Sequence, residues 1–464
     1  MRKYSIIVSV FSILASAFCI ISLSATSFAS VALLPLAFAA VFPMFFPLSY
    51  LNKNAHITIV LVYLLFFIRM VFLPVFGIID GYFVLGSNTA LNKYCNKAVL
   101  LAIYEFLAVT ISLYLLTLSR KTTIVRSNLS LSGNRFIYIL LVLVGAVLFF
   151  TVGRNMDLFE FGFKAVGGDF ERSGDIEDRG IVHLLISAGI LFLFLLVESF
   201  FSKKYNAHHH KQYVLYAIII AMIMVSIITG ERRTSQIYKG FACIWLLIGL
   251  YPLYTKRISR SLILVAAIVI AGMTLYKQYH AFLYDSYAEA LGNASRVGMG
   301  TGTLDAYFYG VNTISKNLAF SDSGYVDFSN LLYDFVRNIF GVNFFVPRGI
   351  PLTSELYNLT LSSGESATGY LLSSVGYGYS YFGGLLAPVF SCLNVLILII
   401  LERLMRSTSS IEMSYVWAFL FMRFGFGFLG SFPPLLNLTT RNLFVNGGIV
   451  LVASFFNKSI KRVS

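Results

Sequence analysis

The chain alternates between long apolar runs and short polar stretches. Most runs are about 17–25 residues long, the length that carries a helix across a bilayer. They fall at about 4–24, 31–51, 57–76, 98–118, 136–153, 181–201, 213–229, 237–254, 262–277, 371–401, 413–430 and 441–457. This pattern predicts an all-α, multi-pass helical membrane protein of about twelve transmembrane helices, with 1–464 forming a single integral membrane domain. The run at 371–401 exceeds one crossing and is expected to be tilted or broken. The first run follows Arg2-Lys3 and precedes SATSFAS, which mimics a signal peptide. Because further runs follow at once, it is read as an uncleaved first helix. One long polar stretch stands out, 277–370, which mixes Tyr and Phe with Asp, Glu, Arg, Asn and Gly. It is expected to be a long external loop region that carries part of a functional site.

Composition narrows the class. Apolar residues make up 58% of the chain and charged residues 12%, a balance that excludes an ordinary soluble domain. The net charge of +14 is not read as a nucleic-acid signal, because the basic residues sit between the apolar runs. With the N-terminus in the cytoplasm, the inner loops hold about eighteen Lys or Arg against two or three acids. The outer loops hold most of the acids, as the positive-inside rule requires. Both termini are therefore expected in the cytoplasm, with 277–370 outside. The exception is GERRTSQ at 230–236, which places Arg232 and Arg233 outside. A doubled Arg where topology disfavours it reads as an anion site, against the plainer reading of a solvated turn.

Three charges inside apolar runs stand out: Arg69, Glu105 and Arg423. Each costs about 2.5–3.5 kcal/mol at a helix centre on insertion scales, so each is expected to face a partner or a cavity. All three lie about seven residues from the outer end of their runs, roughly 10 Å deep at 1.5 Å per residue. Arg69 and Glu105 are on consecutive antiparallel helices and are predicted to pair, and the three charges favour a wet cavity open to the outside. Cys19, Cys95, Cys243 and Cys392 show no disulfide or metal spacing. The acidic DIED at 175–178 is directly followed by Arg179 and is not read as a metal site, and the His208–Lys211 run reads as a solvated linker. No phosphate-binding loop, dinucleotide fingerprint, serine elbow or zinc-protease motif is present.

Outer loops rich in Arg suit a polyanion held by planar guanidinium forks, and Tyr faces suit a sugar ring. Transfer of a glycan from a lipid-diphosphate donor needs three things. Cations stabilise the leaving diphosphate, a carboxylate or His takes the acceptor proton, and a cavity aligns the reactants. Arg232 and Arg233 with Arg296 or Arg348 are candidates for the first, and Arg172 and Arg179 in the second outer loop add to them, as do Arg69 and Arg423. Glu365, Asp285, Glu289 and His280 are candidates for the second, with no choice made among them.

TGERRTS after an apolar run, SELYN, and GESATGYLLSSVGYGYSYFGG leading to a run that ends in LER resemble the Wzy-type O-antigen and capsule polymerases, the oligosaccharide repeat unit polymerases. The likeness in topology covers nearly the whole chain; the motifs cover 229–235 and 355–403. The resemblance implies a metal-independent membrane glycosyltransferase with a GT-C type bundle and no cofactor. Its members act in the bacterial cytoplasmic membrane and join repeat units carried on undecaprenyl diphosphate at the outer face. Implied partners are the lipid-linked donor and acceptor, the bilayer, a chain-length regulator and a flippase. It aligns Arg232 or Arg233 with the family's Gly-x-Arg stretch and Glu365 with the polar segment before the last helices. The family's paired motif of Arg, ten residues and Gly has no clean copy: Arg172 and Arg179 are followed at that distance by His183 and Ile190. The alternatives are an O-antigen ligase, for which His280 is the loop histidine, and a lipid-linked oligosaccharide flippase or transporter.

Overall fold

The computed structural model describes residues 2–45, 56–83, 89–118, 129–152, 160–161, 180–228, 234–281, 301–347, 349–361 and 371–463. It is all-α apart from a two-residue antiparallel pairing of β1 (Glu160–Phe161) with β2 (Ile227–Ile228). Five helices are long and apolar enough to cross a membrane: Ile6–Leu23, Ile57–Ile79, Ala90–Leu118, Gly180–His208 and Pro433–Asn457. A pair bent by 108°, Ser374–Leu386 with Val389–Ser407, makes a sixth if the two halves form one broken span. The expected break in 371–401 is therefore present. Pro388 lacks the N–H that would continue the first helix. Gly378 is needed where the chain folds back, because a Cβ there would stand 2.1 Å from the Ala387 carbonyl oxygen.

The chain divides into two compact units. The first comprises Met1–Thr123, Ser295–Glu402 and Phe424–Thr440. It contains α1 (Arg2–Leu23), α2 (Leu33–Phe45), α3 (Ile57–Ile79) and α4 (Thr89–Leu118). Its aromatic core joins α2, α3 and α4: Phe38 stacks on Phe106 at 5.4 Å, and Phe106 meets the Tyr63 ring edge-on at 5.9 Å. The start of α3 is held from a distance in sequence, because the Glu402 carboxylate accepts from the Ile57 and Thr58 N–H groups at 2.9 and 3.0 Å. A carboxylate there satisfies orphan donors and complements the positive end of the helix dipole.

In the second unit, Ile124–Ala294, Arg403–Arg423 and Arg441–Ser464, lie α5 (Arg135–Thr151), α6 (Gly180–His208), α7 (Lys211–Ser226), α8 (Thr234–Leu250) and α9 (Thr255–Ala281). α5 and α6 approach closely where Gly145 faces Gly189; a Cβ on either would lie 3.3 Å from the other's Cα. Small residues at a crossing permit this backbone approach in a membrane bundle. Glu412 ties the approach to α5, whose N-cap is Asn134: it accepts from the Ser132 and Gly133 N–H groups at 3.0 and 3.1 Å, and from the Tyr138 hydroxyl within α5 at 2.8 Å.

The stretch 277–370 differs from the expected loop. Its described parts are largely helical: α10 (Thr301–Phe308), α11 (Val311–Asp322), α12 (Phe328–Arg337) and α13 (Thr353–Leu361). α11 is not a surface element. Val311–Ser315, Asn317, Leu318 and Phe320 are buried, and the helix packs on α4 and on α14 (Ser374–Leu386). One reason is that its polar side chains find partners inside, although Asn317 Nδ2 has none among the described residues. Asn317 Oδ1 accepts from the Ser373 N–H at 3.0 Å and from its hydroxyl at 2.5 Å. α15 (Val389–Ser407), α16 (Ile411–Phe426), α17 (Pro433–Asn442) and α18 (Gly448–Val463) complete the helices.

Candidate functional site

The second unit contains a cavity of about 80 Å³ with a largely apolar lining that carries several polar side chains, room for several water molecules. His183, Ser187 and Leu191 reach it from α6, Ile227 from β2, Lys239 from α8, and Tyr415 and Phe419 from α16. Arg441, Asn442 and Asn446 close it from the end of α17 and the π-turn Leu443–Gly447. A π-turn shifts a helix by one residue and recurs at functional sites; here it lets Arg441, Asn442, Val445 and Asn446 share one cavity. Lys239 is buried, 7% exposed, and its Nζ donates to the Ile227 carbonyl at 3.2 Å. Asn446 Nδ2 donates to Asn442 Oδ1 at 2.9 Å. Ser187 Oγ and Asn446 Oδ1 are buried with no hydrogen-bond partner among the described residues. Buried polar groups are normally paired, so these two atoms mark a place for a polar ligand or water. On α16, Arg423 lies one turn beyond Phe419. It covers the Tyr238 ring at 5.6 Å and donates from Nη1 to the Tyr238 hydroxyl at 3.3 Å, and Tyr238 meets Phe419 edge-on.

A second polar cluster lies in the first unit. Arg69 Nη1 meets Glu105 Oε2 at 2.5 Å, as predicted from their matched depths, with 2% and 0% of the side chains exposed. Ser391 donates to the other oxygen of Glu105 and bonds Ser374 at 2.9 Å, which joins α3, α4, α14 and α15. Arg69 lies in a π-turn, Ile68–Phe72, inside α3. Its Nε and Nη2 are buried with no hydrogen-bond partner among the described residues. The expectation that this pair lines a wet, outward-open cavity is corrected: both side chains are enclosed by protein. A buried charge is tolerable when it is paired, and Glu105 supplies the pair.

Two buried carboxylates organise the described part of 277–370. Asp305 accepts from the Asn312 and Thr313 N–H groups at 3.3 and 2.8 Å and caps α11. Gly310 must lack a Cβ, which would lie 2.1 Å from Asp305 Oδ1. Asp334 accepts from the Thr353 N–H at 3.0 Å and the Tyr377 hydroxyl at 2.8 Å, tying α12 to α13 and α14. Burial pushes both carboxyls up from the usual aspartate range, and their hydrogen bonds pull back against it. With both oxygens of each engaged by donors, these groups hold structure together and are not placed as bases.

Among the residues singled out by sequence, Glu365, Asp285, Glu289, Arg232, Arg233, Arg296, Arg348, Arg172 and Arg179 lie outside the described residues. His280 belongs to the last turn of α9, and its side chain is likewise outside them. Sequence reasoning missed Lys239, His183 and Arg441. The signal for Lys239 was present: it falls inside the run 237–254, and the rule that flagged Arg69 applies equally to it and to Glu198 in the run 181–201. Glu198 is fully buried, and neither carboxylate oxygen has a hydrogen-bond partner among the described residues. His183 and Arg441 sit at the edges of runs, where a charge is unremarkable. No protein-family model, no curated protein and no solved structure matches the chain.

Proposed function

We propose that this protein is a membrane glycosyltransferase that polymerises undecaprenyl-diphosphate-linked oligosaccharide repeat units at the outer face of a bacterial cytoplasmic membrane. In this reading it has a GT-C type bundle of about twelve spans, and both termini are cytoplasmic. The observation that carries it is the cavity of the second unit, lined by His183, Lys239 and Arg441. Three basic side chains around one small cavity suit a diphosphate better than a neutral sugar. Ile227 on its wall is five residues before Arg232 in sequence, though Arg232 itself lies outside the described residues. In the reaction, Lys239 and Arg441 stabilise charge on the departing diphosphate. His183, Glu365 or another loop carboxylate takes the proton from the acceptor hydroxyl. One observation favours a second reading, ligation of a finished chain: a histidine, His183, stands among the cations.

The test is replacement of the two cavity cations that sequence analysis did not select. Lys239→Ala and Arg441→Ala are expected to lower polymer formation by about 10²–10³, as for loss of one charge-stabilising donor, with the protein still at normal level in the membrane. Long chains from both variants at the wild-type rate would remove the cavity from the mechanism.

A further inference from the structure

α12 turns an apolar stripe outward. Among the described helices its polar and apolar faces are the most sharply separated, and its buried side holds one residue of each kind, Leu331 and Asp334. Asp334 is 4% exposed and bonded to Thr353 and Tyr377. The opposite face carries Phe328, Leu332 and Val336, spaced four apart and therefore aligned along one side, and all three are exposed. The 3₁₀ turn that follows, Val342–Phe345, continues this surface with exposed Val342, Phe344 and Phe345, the last at 88%. The segment is held in place: the Tyr333 hydroxyl donates to the Pro347 carbonyl at 2.6 Å, and Asp327 caps the helix. A surface helix in water has the reverse arrangement, charges outward and apolar stripe inward.

What lies against this face follows from its neighbours. On the inner side Phe335 packs on Phe390 of α15, ring centres 5.9 Å apart. Phe390 follows the bend between α14 and α15, where Leu385, Leu386 and Val389 are all exposed. α12 thus packs beside the bend of a helix pair apolar enough for a membrane. We propose that α12 and the Val342–Phe345 turn form an interfacial anchor. It lies in the plane of the bilayer, with Phe328, Leu332, Val336, Phe344 and Phe345 sunk about 5–10 Å into the boundary between headgroups and acyl chains. The occupant is the lipid surface itself. The anchor fixes Asp334, and through it α13 and α14, at the height of the membrane surface, where a lipid-linked substrate presents its headgroup.

The experiment places a nitroxide spin label at Leu332→Cys and, separately, at Phe345→Cys in the full chain, reconstituted in phospholipid bilayers. The equally labelled parent chain serves as blank for the native cysteines. Oxygen, which concentrates in acyl chains, and a water-soluble nickel chelate compete as relaxers. High collision with oxygen and low collision with nickel at both sites is the expected result. High nickel accessibility would place the face in water and overturn the proposal. Low accessibility to both relaxers would mean contact with another protein surface and would overturn it equally.

Discussion

At the scale of single residues, the sharpest feature is the enclosed Arg69–Glu105 pair. A buried ion pair loses more when one partner is removed than when both are replaced, because the survivor is left charged and unpaired. Arg69→Ala is therefore expected to destabilise the protein by about 3–5 kcal/mol, and Glu105→Gln in the same chain is expected to recover part of that loss. Thermal unfolding of the two single variants and the double variant in detergent gives the coupling; additive effects would show that the pair contributes nothing as a pair. The same enclosure explains why depth in the sequence revealed this pair. Two opposite charges at equal depth on adjacent antiparallel helices have few places to go. Lys239 was harder to see: one of its hydrogen bonds runs to the backbone carbonyl of Ile227 in β2, which no residue pattern announces.

At the scale of elements, the membrane helices were legible in part: among the described residues five, or six with the bent pair, are long and apolar enough to cross, against about twelve expected. The helices of 277–370 were not legible. A hydropathy run marks a span because lipid excludes unpaired polar groups. α11 escapes that logic. Its buried residues include Asn312, Thr313, Ser315 and Asn317, and only their partners make them compatible with an interior. Asp305 supplies two of those partners' bonds from eight residues or fewer away, while Ser373 lies 56 residues away. Asp334 makes the equivalent tie for α12, and its burial carries a pH signature. A carboxyl held above its unfolded value favours the protonated native state. Its contribution is present in full below the unfolded value and is lost as pH rises through the folded one. Stability should therefore fall as pH rises above about 4, by at most about 1.4 kcal/mol per pH unit from this group. Asp334→Asn is expected to flatten that part of the profile, and Asp305, shifted in the same direction, keeps the remainder. Unfolding temperature measured against pH for both chains checks it; identical profiles would mean that Asp334 is not the group that titrates.

At the scale of the whole molecule, two glutamates ten residues apart in one short stretch each hold backbone N–H groups, Glu402 at the start of α3 and Glu412 on the approach to α5. Each unit also has a π-turn within or beside an Arg, at Arg69 and after Arg441. Sequence located the first of these arginines by its depth and passed over the second. A cation in the last turn of a helix is ordinary, and only the convergence of α6, α8, α16 and the π-turn makes it part of a cavity. The resemblance to the repeat unit polymerases rests on short motifs, and the cavity joins to them an arrangement of cations suited to diphosphate. That functional claim is tested most directly by deleting the gene in its own host and resolving the surface glycan by length on a gel. The account predicts single repeat units in place of a ladder, with the ladder restored by the wild-type gene. A ladder of normal length, or repeat units trapped on the cytoplasmic side of the membrane, would contradict it.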